Sequence, residues 1–136
     1  MKHKFIEWCV GVSSFLIIII GYLVNPSRKS PTISWLPQFV YVEHLVGAFA
    51  LGIIFFYLFY LVAWLPSLIG CPTRDKKTNF DIARWVGGGI ALVFPIYYEF
   101  IVQKRATLEQ LPFDLVGVLF YWSYICHMQK IKYLRK

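Results

Sequence analysis

The stretch that decides the fold is LVGAFALGIIFFYLFYLVAWLPSLIGCPT, residues 45–73, which contains no charged side chain. It is longer than the roughly 20 apolar residues that a helix needs to cross the hydrocarbon core of a bilayer. Only 15% of the chain is charged, whereas an ordinary soluble domain has about a quarter of its residues charged. There is too little polar surface to cover such a helix in water, so the stretch predicts a membrane span.

Three further apolar runs surround this one, at residues 10–24, 85–98 and 115–128. Extended to whole helices, the four runs predict spans at about residues 5–24, 39–65, 85–103 and 114–129. We therefore expect an all-α polytopic membrane protein, a single transmembrane domain over residues 1–136 built as a four-transmembrane-helix bundle. The last two runs are shorter than the others, and three spans with one re-entrant segment remain the alternative.

The basic residues are distributed unequally between the two predicted faces. Ten of the 14 Lys and Arg residues lie at the N-terminus, in the loop between the second and third helices, or in the C-terminal tail, and four lie in the other two loops. Because Lys and Arg accumulate on the cytoplasmic side, this bias predicts a multi-pass protein of the cell membrane with an N-in/C-in orientation. The same bias, with attraction to anionic lipids, accounts for the net charge of +7. The expected partner is the lipid bilayer, with no nucleic acid.

Small residues at spacings of four predict how the helices meet. Ala48 and Gly52 are four apart in the second predicted helix, and Gly87 and Ala91 are four apart in the third. Such pairs allow close backbone approach in a membrane, where no hydrophobic force drives helices together. We expect these residues to lie between the two helices. Pro95 is expected to kink the third helix because it lacks a backbone donor.

A candidate polar cluster comes from the polar residues at the outer ends of three predicted helices. Its members are His44, Glu99, Gln103 and Asp114, and Glu43 lies beside them. Ionisable groups cost about 2.5–3.5 kcal/mol at the centre of a membrane helix, and the predicted topology delivers all of these to one level. Four of these residues also have a simpler interpretation: Asp114 as a helix cap, Glu43 reaching the interface, His44 bonded to a nearby carbonyl, and Glu99 exposed.

Two carboxylates and an imidazole that converge can bind a divalent metal or move a proton. The sequence contains no metalloprotease helix, nucleophile elbow or phosphate-binding glycine loop, and its three cysteines have no metal-type spacing. We therefore predict no metal and no cofactor, and whether the chain is an enzyme stays open.

The residues from His44 to Gly52 resemble the histidine-containing helix of VanZ-like membrane proteins. The order Tyr98-Glu99, Gln103, then Phe113 to Gly117 is similar to the glutamate, glutamine and aspartate stretch of that family. The chain departs from the pattern at Val40 and Tyr41, where the family usually has Asp-Lys, and it lacks the asparagine before the final glycine. The resemblance implies a role in the cell envelope, since the family's namesake is linked to low-level glycopeptide resistance.

Three interpretations of function follow. The first is an accessory protein of the envelope that packs as a four-helix unit, against itself as a homo-oligomer or against a larger membrane complex. The second is a small intramembrane enzyme or transporter that acts on a lipid-linked envelope substrate through His44, Glu99 and Asp114. The third is a membrane protein of a phage or mobile element. Convergence of the polar residues would favour the second.

Overall fold

The computed structural model describes residues 2–24, 39–68, 75–103 and 109–134. Within these ranges the chain is helical and contains no strand, as the sequence predicts. The helices are α1 (Lys2–Val24), α2 (Phe39–Leu68), α3 (Lys76–Tyr97) and α4 (Leu111–Gln129), and π-helical segments follow α3 at Tyr98–Gln103 and α4 at Lys130–Leu134. Two of the helices, α2 over Tyr41–Pro66 and α3, are long and apolar enough to cross a membrane.

The third helix begins at Lys76, nine residues before the position expected from hydropathy. Its start is set by Asp75, whose carboxylate accepts hydrogen bonds from the backbone N–H groups of Lys77 at 3.2 Å and Thr78 at 3.4 Å. This is a side-chain cap on otherwise unpaired donors. The amphipathic first turns then bury Asn79 and Phe80. Hydropathy missed them because their charged neighbours lower the average.

The fourth helix also begins early, at Leu111, with Pro112 in its first turn. A proline is favoured there because its missing N–H would have no partner in the helix. The second helix continues past Pro66 to Leu68, beyond the expected end at residue 65.

Helix α2 is central and contacts α1, α3 and α4. The main core lies among α2, α3 and α4 and includes Ile53, Phe56, Phe80, Tyr121 and Ile125, all buried. The rings of Phe56 and Phe80 meet edge to face with centroids 5.0 Å apart. Helix α1 packs at the edge against α2, where Gly11 lies against the ring of Tyr57.

The predicted contact between α2 and α3 through small residues is confirmed. A Cβ added at Gly87 would lie 2.6 Å from the carbonyl oxygen of Gly52, so the two backbones touch where no side chain fits. Ala48 and Ala91 are both buried in a second cluster. Gly88 instead faces the indole of Trp122 on α4, so its small size serves the α3–α4 contact.

The two ends of the bundle carry different chemistry. The end at which α2 and α4 begin is called the His44 end. The end at which α3 begins and α4 finishes is called the Arg84 end. Because α3 runs opposite to α2 and α4, residues distant in sequence meet at each end.

Candidate functional site

At the His44 end, an imidazole and a carboxylate from different helices form a direct pair. Nδ1 of His44 on α2 lies 3.1 Å from Oδ1 and 3.3 Å from Oδ2 of Asp114 on α4. Asp114 is only 4% exposed. Two of the four residues of the candidate polar cluster are therefore brought together by the fold.

The alternative that Asp114 caps α4 is wrong. Gln110 occupies the N-cap position and makes no side-chain cap, and Asp114 lies inside the first turn of the helix. Its backbone N–H already donates to the carbonyl of Gln110 at 3.3 Å. The carboxylate is therefore turned to His44 on the neighbouring helix.

Gly117 explains how α4 comes close enough to α2 for this pair to form. A Cβ at Gly117 would overlap with the backbone carbonyl of Leu45 and would lie 3.0 Å from the Cβ of Ala48. Leu45 follows His44 directly, and Gly117 is one turn after Asp114 on the same helix face. The missing side chain thus sets the distance between the helices beside the polar pair.

A second, more exposed contact lies one turn earlier. Tyr41 donates a hydrogen bond from its hydroxyl to Oε2 of Glu109 at 3.2 Å, and its ring stacks on Phe113 at 4.6 Å. Sequence reasoning missed both partners. The available signal was spacing, since Tyr41 is three residues before His44 and shares its face of α2, while Phe113 precedes Asp114.

The pair constrains the orientation of the imidazole. An ionised carboxylate can only accept hydrogen bonds, so beside an ionised Asp114 the Nδ1 of His44 is the donor in this contact. A histidine held in one orientation by a carboxylate can take part in proton transfer. It also offsets the cost of burying the Asp114 carboxylate, which is high for an unpaired charge. The same geometry is thus suited to moving a proton and to joining α2 to α4.

Glu99 and Gln103 lie in the π-helical segment Tyr98–Gln103, but their side chains lie outside the part of the chain that the structure describes. Their membership of the cluster therefore stays a prediction. The segment follows Pro95, which has no N–H to donate to the preceding turn, and π-helical turns often occur at functional sites. Glu43 is exposed. Among the described residues, no group of three or more His, Cys, Asp or Glu side chains is placed to hold a metal ion.

The Arg84 end holds a polar network that sequence reasoning missed. Arg84 donates from one terminal nitrogen to Oε1 of Gln129 at 2.6 Å, and Nε2 of Gln129 donates to Oδ1 of Asp81 at 2.9 Å. The hydroxyl of Tyr121 donates to the backbone carbonyl of Arg84 at 2.8 Å. In the sequence, Arg84 counted only as one of the charges that set the topology.

The described residues form an all-α helical bundle with two helices able to cross a membrane and a partly buried histidine–aspartate pair between helices. No protein family, curated protein or solved structure matches the chain.

Proposed function

We propose that the chain is a four-span protein of the cell membrane, with both ends in the cytoplasm and an accessory role in the cell envelope. The observation that carries the proposal is the outward apolar surface of the bundle. Trp8 on α1 is 68% exposed and Leu119 on α4 is 64% exposed, with many large apolar neighbours exposed around them. Soluble monomers rarely expose apolar patches beyond a few hundred Å², whereas a bilayer solvates such a surface.

Reporter fusions test the topology. Fusions after residues 30 and 108 should report the outside, and fusions after residues 76 and 136 should report the cytoplasm. The reason is that ten of the 14 basic residues lie on the predicted cytoplasmic side. An outside signal after residue 76 would overturn the arrangement of four spans.

The envelope role rests on the resemblance to VanZ-like proteins, which is carried in part by His44 and Asp114. Expression of the chain in a susceptible Gram-positive host should raise the concentration of glycopeptide needed to stop growth. The matched control is a Glu43→Gln chain expressed to the same level in the membrane, which should keep the effect because Glu43 is exposed. Unchanged susceptibility with the unaltered chain would remove the support for this role.

The second candidate is a small intramembrane enzyme or transporter that acts on a lipid-linked envelope substrate. The contact between His44 and Asp114 favours it, because a buried carboxylate that orients an imidazole creates a base. In this proposal the imidazole of His44 takes part in proton transfer with the substrate, and Asp114 positions the ring. Loss of a positioned general base costs about 10²–10⁴-fold in rate.

The two candidates differ in what His44→Gln should do. If the pair moves a proton, the variant loses the phenotype while it folds and inserts normally, and Glu43→Gln, on the exposed neighbouring residue, has no effect. If the pair only joins helices, loss of phenotype should follow loss of thermal stability across a series of substitutions at His44 and Asp114.

A further inference from the structure

The guanidinium of Arg84 contacts side chains of both α3 and α4, and the space around it between the two helices is called the α3–α4 cleft. The side chain of Arg84 is 18% exposed, and its central carbon lies 5.8 Å from the ring of Trp85 and 5.6 Å from the ring of Trp122. The two indoles meet edge to face with centroids 4.7 Å apart. A cation is thus presented beside aromatic rings, at the end of the bundle where α3 begins.

Two polar side chains hold the guanidinium in position. Gln129 accepts from one terminal nitrogen, and the other lies 3.4 Å from Oδ1 of Asp81. Nε is buried and has no hydrogen-bond partner among the described residues. A planar guanidinium has five N–H donors, and because each terminal nitrogen carries two of them, these two neighbours leave terminal donors for a further acceptor. Its fork also matches the oxygens of a phosphate.

The charge around the cleft is positive. Lys77, Asp81 and Arg84 are spaced four and three apart and share a face of α3, and Lys130 follows Gln129 at the end of α4. Lys77 and Lys130 are both exposed. Three cations, Lys77, Arg84 and Lys130, therefore accompany two carboxylates, Asp81 and the capping Asp75, so the balance of charge still favours an anion.

The surroundings of the cleft are apolar. Trp85 is 64% exposed, and Ile82 is exposed beside it on α3. Tryptophan favours the headgroup depth of a bilayer, with its ring partly among acyl chains. A soluble anion would gain nothing from these side chains, whereas a lipid would place its acyl chains against them.

We propose that the α3–α4 cleft at the Arg84 end binds the phosphate of an anionic phospholipid, with Arg84 and the two exposed lysines as its contacts. The proposal rests on the membrane insertion proposed above. Trp85 and Trp122 flank the headgroup, and Gln129 and Asp81 keep the guanidinium in place. The bound lipid would contact the first turns of α3 and the end of α4 and stabilise their packing.

Lipid retention by the purified full-length chain tests the proposal. The chain is reconstituted in nanodiscs that contain equal parts of phosphatidylglycerol and phosphatidylcholine, extracted into mild detergent, and examined by native mass spectrometry. We expect phosphatidylglycerol to be retained in preference. Lys77→Gln with Lys130→Gln should reduce this preference by about fivefold for each lysine removed. Arg84→Gln should abolish it.

Lys4→Gln is the matched control, because Lys4 is an exposed lysine on α1, which begins at the same end of the bundle. It should leave the preference unchanged. An equal loss in the Lys4 variant, no preference in the unaltered chain, or equal stabilisation by inorganic phosphate in detergent would each overturn the site. The double lysine variant keeps the test valid if Arg84→Gln misfolds. A chain that inserts but shows no preference contradicts this inference alone, whereas failure to insert contradicts the proposed function.

Discussion

The two ends of the bundle differ in how their polar side chains are paired. At the His44 end, a single imidazole faces a single buried carboxylate, and the contact depends on one close approach of helices. At the Arg84 end, Gln129 connects to both Arg84 and Asp81, which also meet each other. When one member of a pair is removed, the other buried polar group loses its partner. In a network with a bridging amide, the remaining groups keep some of their contacts. The comparison predicts that the His44 end is the more sensitive to single substitutions.

His44→Ala should have the largest effect. It leaves the buried carboxylate of Asp114 without its cationic or donor partner, and breaking a buried charge pair in this way costs about 3–5 kcal/mol. Asp114→Ala should cost less, because the imidazole left behind is more exposed than the carboxylate, at 17% against 5%. Unfolding of the purified variants in detergent measures both, with Glu43→Ala as the exposed control. An equal, small cost for both variants would mean that solvent reaches the pair.

Gly117→Ala should have the next largest effect on stability. The added methyl group would overlap with the carbonyl of Leu45, so α4 must move away from α2 beside the polar pair, and overpacking of this kind costs about 1–3 kcal/mol. Gly47→Ala is the matched control, because a Cβ at Gly47 has no neighbouring atom within 4 Å among the described residues. If both variants unfold at the same temperature, the close approach at Gly117 does not set the helix distance.

Gln129→Ala should be milder, at about 1 kcal/mol. It removes the bridge at the Arg84 end, yet Arg84 and Asp81 still face each other across one turn of α3. The same unfolding measurement applies, with the exposed Lys130→Ala as its control. A cost as large as that of His44→Ala would show that the network fails as a unit, and the contrast between the two ends would then disappear.

Tyr41→Phe should have the smallest effect. It removes an exposed hydrogen bond to Glu109 and keeps the stacking of the ring on Phe113. We expect the unfolding temperature to stay within error of the unaltered chain, while Tyr41→Ala lowers it through the lost ring contact. A clearly lower unfolding temperature in the Phe variant would mean that the hydrogen bond to Glu109 also stabilises the His44 end.

Part of the candidate site follows from the sequence. His44 and Asp114 begin apolar helices, and a costly polar group at that position calls for a partner at the same depth, so their meeting was predictable. The contact of Gly52 with Gly87 was predictable for a similar reason, since spacing by four places small residues on one face. The start of α3 was not, because Asp75 acts through a cap and Phe80 is buried among charged neighbours, which hydropathy averages away.

The sequence by itself determined the helical class, the apolar stretches of α2 and α3, and the common level of His44 and Asp114. These properties depend on periodicity and on transfer free energy, which act locally along the chain. Only the tertiary structure decided that Gly88 faces Trp122, that Gly117 brings Asp114 to His44, and that Gln129 joins Arg84 to Asp81. Those contacts depend on the rotation and tilt of each helix, which result from the packing of all the side chains together.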